Sequence, residues 1–247
     1  MDPEGFWTVI LLILVAFIPT IVFMAWFRAT GKRTREPWSV VIMSYLFGAI
    51  GAIIIALALE MGAMAFLSSP IVREYDIFAL DPTALTFIMV IVVAPIVEEA
   101  AKALGVSKSM TRTLGTPRSG LVLGAAAGLG FAATENLLYE GGALMEGGMT
   151  AFIAIAVVRT FSSALMHASA TSVSGYGIAK SSLGGGSWLP YYLLAVIMHA
   201  SFNLFASFGE LFKDTLGETA ALIGLIFAFV LVIASVTWIR RRISSLS

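Results

Sequence analysis

The chain has 247 residues, of which 59% are hydrophobic and 12% charged, with a mean hydropathy of +0.94 and a formal net charge of zero. A soluble domain averages about 45–50% apolar and about 25% charged residues, so this composition excludes a soluble enzyme and describes an integral membrane protein. The balanced charge offers nothing to a nucleic-acid partner, and the absence of cysteine rules out disulfides and thiolate metal sites.

At ~20 residues per crossing, the chain is long enough for about six to eight spans and short loops, without a separate soluble domain. Residues 1–247 are therefore expected to form a single membrane domain, an all-α polytopic bundle. Seven apolar segments stand out, at about 6–28, 38–67, 83–105, 118–140, 149–178, 187–212 and 219–239. The first follows a start, Met1 to Gly5, that lacks the basic stretch of a cleavable signal, and it is expected to be a true span. Connecting segments alternate in charge. Arg28, Lys32, Arg33 and Arg35 follow the first span, Lys108, Arg112 and Arg118 follow the third, Lys180 follows the fifth, and Arg240, Arg241 and Arg242 follow the seventh. The other connections are mainly acidic, with Asp2 and Glu4, Glu74, Asp76 and Asp81, Glu140 and Glu146, and Glu210, Asp214 and Glu218. The positive-inside rule then places the N-terminus outside and the C-terminus in the cytoplasm, in a cell membrane crossed seven times.

The third segment carries Pro95 and then Glu98-Glu99-Ala100-Ala101-Lys102. Pro95 removes a backbone donor and frees a carbonyl near the acidic pair. Adjacent carboxylates on a helix point about 100° apart, while Glu98 and Lys102 form a favourable i,i+4 pair. The expected division of labour has Lys102 holding Glu98 while Glu99 works as the complementary acid. The fourth segment opens on Gly120, Gly124 and Gly128, a smooth stripe along which another helix can approach. It continues into Phe131-Ala132-Ala133-Thr134-Glu135-Asn136, where an acid and an amide side by side suggest a hydrogen-bonded cluster. In the fifth segment Arg159 and His167 lie eight residues apart and so share a face, with Arg159 at the depth of Glu135 and expected to pair with it. In the sixth, His199 and Asn203 share a face at i,i+4.

Glu98, Glu99, Lys102, Glu135, Arg159, His167 and His199 thus all fall inside apolar segments. Each charged group at mid-bilayer costs about 2.5–3.5 kcal/mol on insertion scales, so such groups face a bundle interior and mark a working site. Imidazoles with carboxylates suit two chemistries. One is a zinc site, with His167, His199 and Glu99 as ligands and a metal-activated water. The other is metal-free catalysis, with glutamate and histidine polarising water and His199 with Asn203 stabilising an oxyanion. No His-Glu-x-x-His is present to decide for zinc.

In order along the chain, Glu98-Glu99-x-x-Lys102, Phe131-x-x-x-Glu135-Asn136, His167 and His199-x-x-x-Asn203 resemble the motifs of PrsW-type intramembrane proteases. These belong to a superfamily with the CAAX prenyl endopeptidases and bacterial Abi proteins. The resemblance covers roughly residues 83–212, a four-helix catalytic core. It implies a glutamate-dependent peptidase, often classed as a metalloprotease, that makes a first cut in a membrane-anchored protein such as an anti-sigma factor. Catalysis would rest on Glu98, Glu99, His167, His199 and Asn203, with Lys102, Glu135, Asn136 and Arg159 supporting them. CAAX enzymes carry a histidine after the phenylalanine where this chain has Glu135-Asn136, so prenylated substrates are not expected. The rival expectations are a non-catalytic multi-pass scaffold, which would not need the Glu98-Glu99 pair, and a proton-coupled transporter, which would show two matching halves.

Overall fold

The structure is a computed structural model that describes residues 3–31, 35–74, 82–112 and 115–246. Of the charges used for orientation, Asp2, Lys32, Arg33, Asp76 and Asp81 lie outside the described residues. All the elements among the described residues are helices, without a strand. α1 is Pro3–Ala29. α2 (Trp38–Leu46) passes through a π-helical turn, Phe47–Ala52, into α3 (Ile53–Leu67), and a single turn, α4 (Pro70–Arg73), follows. α5 (Pro82–Ile88) passes through a second π turn, Met89–Val93, into α6 (Ala94–Met110). Then come α7 (Pro117–Phe161), α8 (Ser163–Ser182), α9 (Leu189–Ala206), the short α10 (Phe208–Leu211) and α11 (Lys213–Leu216), and α12 (Thr219–Ser245). Among the described residues, 6 helical runs are long and apolar enough to cross a membrane. The sequence suggests a loop between 118–140 and 149–178, whereas the helix continues through residues 141–147 and the run spans 117–182. The break is confined to Gly148, at φ 68° and ψ −163°, a conformation that a residue with a Cβ rarely adopts.

Gly148 divides α7 into two arms, and the chain folds back on itself. Gly120 lies against the carbonyl of Gly175, Gly124 against that of Thr171 and Gly128 against that of His167, an antiparallel register. A methyl group at any of the three would overlap the facing carbonyl, which is why the stripe is glycine. The opposite side of the same arm is equally close-fitting, with Gly130 against the carbonyl of Tyr45 and Gly48 against that of Ala127. The first arm of α7 is thus the buried axis of the bundle, set between α8 and the α2–α3 run. In lipid no hydrophobic effect drives helices together, so such packing and interhelical hydrogen bonds do so. Here Ser44 Oγ donates to Leu123 O at 2.9 Å, Thr134 Oγ1 to Ala49 O at 2.7 Å and Ser172 Oγ to Leu121 O at 2.8 Å. At one end Arg118 forms a buried ion pair with Glu36 and donates to Thr30 O, while Arg240 donates to Thr30 Oγ1, tying α1, α7 and α12 together. The outer faces expose Ile54, Ile153, Ile197 and Ile233, as contact with lipid requires.

Candidate active site

The second π turn shapes the site first. Its hydrogen bonds run five residues back, Ala94 N–H reaching Met89 O. The next carbonyl in that register, Val90 O, would take the N–H of residue 95, and Pro95 has none. Asn203 of α9 supplies the missing donor, Nδ2 to Val90 O at 2.8 Å. The carbonyl freed by the proline is therefore used to dock α9 on α6, and Asn203 keeps its second amide hydrogen.

α6 then presents Glu98, Glu99 and Lys102, all buried. Lys102 Nζ, fully enclosed, lies 2.7 Å from Glu99 Oε1, 3.3 Å from Glu98 Oε2 and 2.9 Å from His167 Nδ1, and 4.3 Å above the Phe131 ring. The i,i+4 pair with Glu98 is present, but the i,i+3 contact with Glu99 is the shorter one. Glu99 is the more fully engaged carboxylate, since Oε2 also accepts from Thr171 Oγ1 at 2.9 Å and Oε1 accepts from His199 Nδ1 at 3.2 Å.

The partners fix both imidazoles. A lysine only donates, so Nδ1 of a neutral His167 accepts from Lys102, and Nε2 carries the proton directed at Glu135 Oε2, 2.8 Å away. His199 donates from Nδ1 to Glu99, leaving the lone pair on Nε2, which is 3.9 Å from Glu98 Oε2. His167 Nδ1 is 4.0 Å from the same oxygen, and the two rings meet edge to face at 4.6 Å. Each imidazole is thus held through one nitrogen by its own carboxylate, Glu135 or Glu99, and turns the other nitrogen towards Glu98. Glu98, His167 and His199 together offer three ligand atoms within 4.8 Å of one another. The sequence names Glu99 as the expected third donor; the three ligand atoms that lie together include Glu98, while Glu99 Oε1 accepts from His199 Nδ1.

Glu135 is braced from its far side. Arg159 Nη2 lies 2.7 Å from Glu135 Oε2, its Nε donates to Asn136 Oδ1 at 2.9 Å, and its guanidinium stacks 3.8 Å over the Tyr139 ring. The pairing expected between the fourth and fifth segments is present, and it links the two arms of α7. Among the described residues, Asn136 Nδ2 and both oxygens of buried Glu140 have no hydrogen-bond partner. Thr171 and Glu60 are absent from the sequence reading. Thr171 stands one turn after His167 on the same face, which is a usable signal. Glu60 lies inside the second apolar segment and meets the same criterion as the seven charged groups singled out there.

A cavity of about 660 Å³ opens onto this cluster, with Glu98, Glu135, His167, Arg159 and Asn203 in its wall and largely apolar side chains around them. Its wall also takes Glu60 and Leu57 from α3 and Leu225 and Ala228 from α12, so it draws on more than residues 83–212.

A family model described as PrsW family intramembrane metalloprotease matches residues 36–236. The chain belongs to the PrsW family. Comparison with curated proteins and with solved structures returns no match. Membership makes this PrsW-family protein a membrane-embedded protease, and the apolar helical runs agree with that. The donor chemistry also fits the metal in the family's description. Two imidazoles and a carboxylate are a zinc-type set, and a ligating histidine characteristically gives its second N–H to a carboxylate, as both do here.

Proposed function

We infer that this PrsW-family protein hydrolyses a peptide bond of a membrane-anchored protein in the cavity beneath Glu98, with an anti-sigma factor as the class of substrate the resemblance suggests. One observation carries the reading: the second nitrogens of two carboxylate-held histidines, His167 Nδ1 and His199 Nε2, converge on a cavity-lining glutamate. Glu98 Oε2 faces those nitrogens, while Oε1 has no hydrogen bond among the described residues, so it is the oxygen available to a water. Water attacks the carbonyl carbon and gives its proton to Glu98, which returns it to the amine nitrogen as the C–N bond breaks. Asn203 donates its uncommitted amide hydrogen to the oxyanion. Glu99 and Glu135 hold the histidines in orientation, and Arg159 and Lys102 hold those two carboxylates in place. Glu98, His167 and His199 would hold a zinc ion, which when bound supplies Lewis-acid polarisation and a more acidic water. Lys102 Nζ stands close to two of those donors, and its ammonium has to withdraw for the ion to enter. In the same reading the arms on either side of Gly148 cross separately, giving seven crossings of the plasma membrane, N-terminus outside and C-terminus cytoplasmic.

The test pairs zinc content with cleavage of a single-span substrate in nanodiscs, for the wild type and for the Glu98→Gln, His167→Ala, His199→Ala and Asn203→Ala variants. The first three should lose more than about 10³ in rate, and Asn203→Ala, which removes one oxyanion donor, about 10². Zinc should co-purify with the wild type and fall in both histidine variants. Near-wild-type cleavage by both histidine variants would reduce these residues to packing groups.

A further inference from the structure

The cavity contains a carboxylate that the chemistry above does not use. Glu60 sits on α3, about 10 Å from the end of the helix at Leu67 by helical rise, and faces the cavity alongside Leu57. The other charged groups of the cavity wall are matched. Lys102 lies between Glu98 and Glu99, and Arg159 engages Glu135. Arg159 is already committed, through Nε to Asn136 and through Nη2 to Glu135 and Ser163. Glu60 has no ion pair or hydrogen bond among the described residues, and it stands outside the group of donors that could hold a metal. A carboxylate placed in an apolar membrane cavity without a partner is costly unless something entering the cavity supplies one.

We propose that Glu60 is a specificity-determining residue, which receives a lysine or arginine side chain of the substrate's membrane-spanning segment. The proposal rests on the protease reading and names a class of substrate for it: a helix or unwound segment with a basic residue in its outer part, beside the bond that reaches Glu98. A basic residue there is costly to bury in lipid, so the pair relieves two uncompensated charges at once. A hydrophobic segment without one would still fill the apolar wall but leave Glu60 unmatched, which is how a site comes to reject the wrong ligand.

The experiment uses the full chain in nanodiscs and three synthetic single-span peptides of leucine and alanine, identical except for one arginine, glutamine or glutamate in the outer third. Binding is measured by fluorescence and cleavage by mass spectrometry. The wild type should bind the arginine peptide at least about tenfold more tightly than the glutamine peptide, as a charge-assisted pair predicts. Glu60→Gln should bring that ratio close to one, and Glu60→Lys should favour the glutamate peptide. Glu146→Gln, which removes an exposed acid, should leave the wild-type ratio intact. A wild-type ratio near one, or a Glu60→Gln variant that keeps the arginine preference, overturns the proposal. Selective binding lost in Glu60→Gln with no peptide cut would sink the protease reading while leaving this one standing. Cleavage of all three peptides without charge preference would do the reverse.

Discussion

Replacing Lys102 with methionine removes the lysine that contacts Glu98 and Glu99 while keeping a long side chain against Phe131. The effects on the two carboxylates differ. Glu99 keeps Thr171 at 2.9 Å and His199 at 3.2 Å, so it stays hydrogen-bonded. Glu98 loses its one hydrogen bond, and its remaining polar neighbours are the imidazole nitrogens at 3.9 and 4.0 Å. Removing one partner of a buried pair costs about 3–5 kcal/mol, because it strands a charge rather than merely losing a contact. For metal-free protein in mixed micelles, equilibrium unfolding followed by circular dichroism should show a loss of that size. Adding Glu98→Gln to the same chain should recover much of it, since the stranded charge is then gone. Zinc should stabilise Lys102→Met more than the wild type, because the ammonium no longer stands beside two of the donors. A loss below about 1 kcal/mol, or a double variant as unstable as the sum of the singles, would mean that Lys102 is not the counter-charge of the acidic pair.

Two further expectations follow from the packing. Gly128→Ala places a methyl on the carbonyl of His167 itself, so it should cost about 1–3 kcal/mol of stability and lower zinc binding, whereas Gly62→Ala, with open space around it, should be neutral or slightly stabilising in the same unfolding assay. Tags after Arg112 and at the C-terminus should be protected in intact cells while one after Glu146 is labelled, and labelling of Arg112 together with Glu146 would refute the separate crossing of the two arms of α7.

Much of the fold was legible because lipid imposes simple rules. Long apolar runs must be helices, since an unpaired backbone has no water to turn to. The Gly120, Gly124 and Gly128 stripe marks a close helix–helix interface for the same reason. Glu140, Glu146 and several glycines cluster between the fourth and fifth segments and so suggest a loop there. A helix needs only one residue with positive φ to break, and residues 141–147 have no proline to stop them. The site was legible as a set of residue types but not as a set of roles. Which of two adjacent glutamates stands near both histidines depends on the phase of α6, and that phase follows the π turn at Met89–Val93, which no helical periodicity announces.

The same π turn and the hairpin of α7 and α8 answer a difficulty of depth. Counting residues puts Glu98 roughly 22 Å in from Thr83 and Glu135 near the opposite face, too far apart for one compact site. The structure nevertheless brings both into the wall of one cavity. It places His167 between them, with Nε2 on Glu135 and Nδ1 on the Lys102 that holds Glu98 and Glu99. A relay of side chains thus runs from Arg159 through Glu135, His167 and Lys102 to Glu99, and among the described residues His167 is the imidazole that joins its two ends. On this argument His167 is the residue whose loss should uncouple the two ends: His167→Asn should leave the Arg159–Glu135 pair and the contacts of Lys102 with Glu98 and Glu99 intact but unconnected. If His167→Asn binds zinc and cuts substrate as the wild type does, the relay carries no function and the two charged levels work independently.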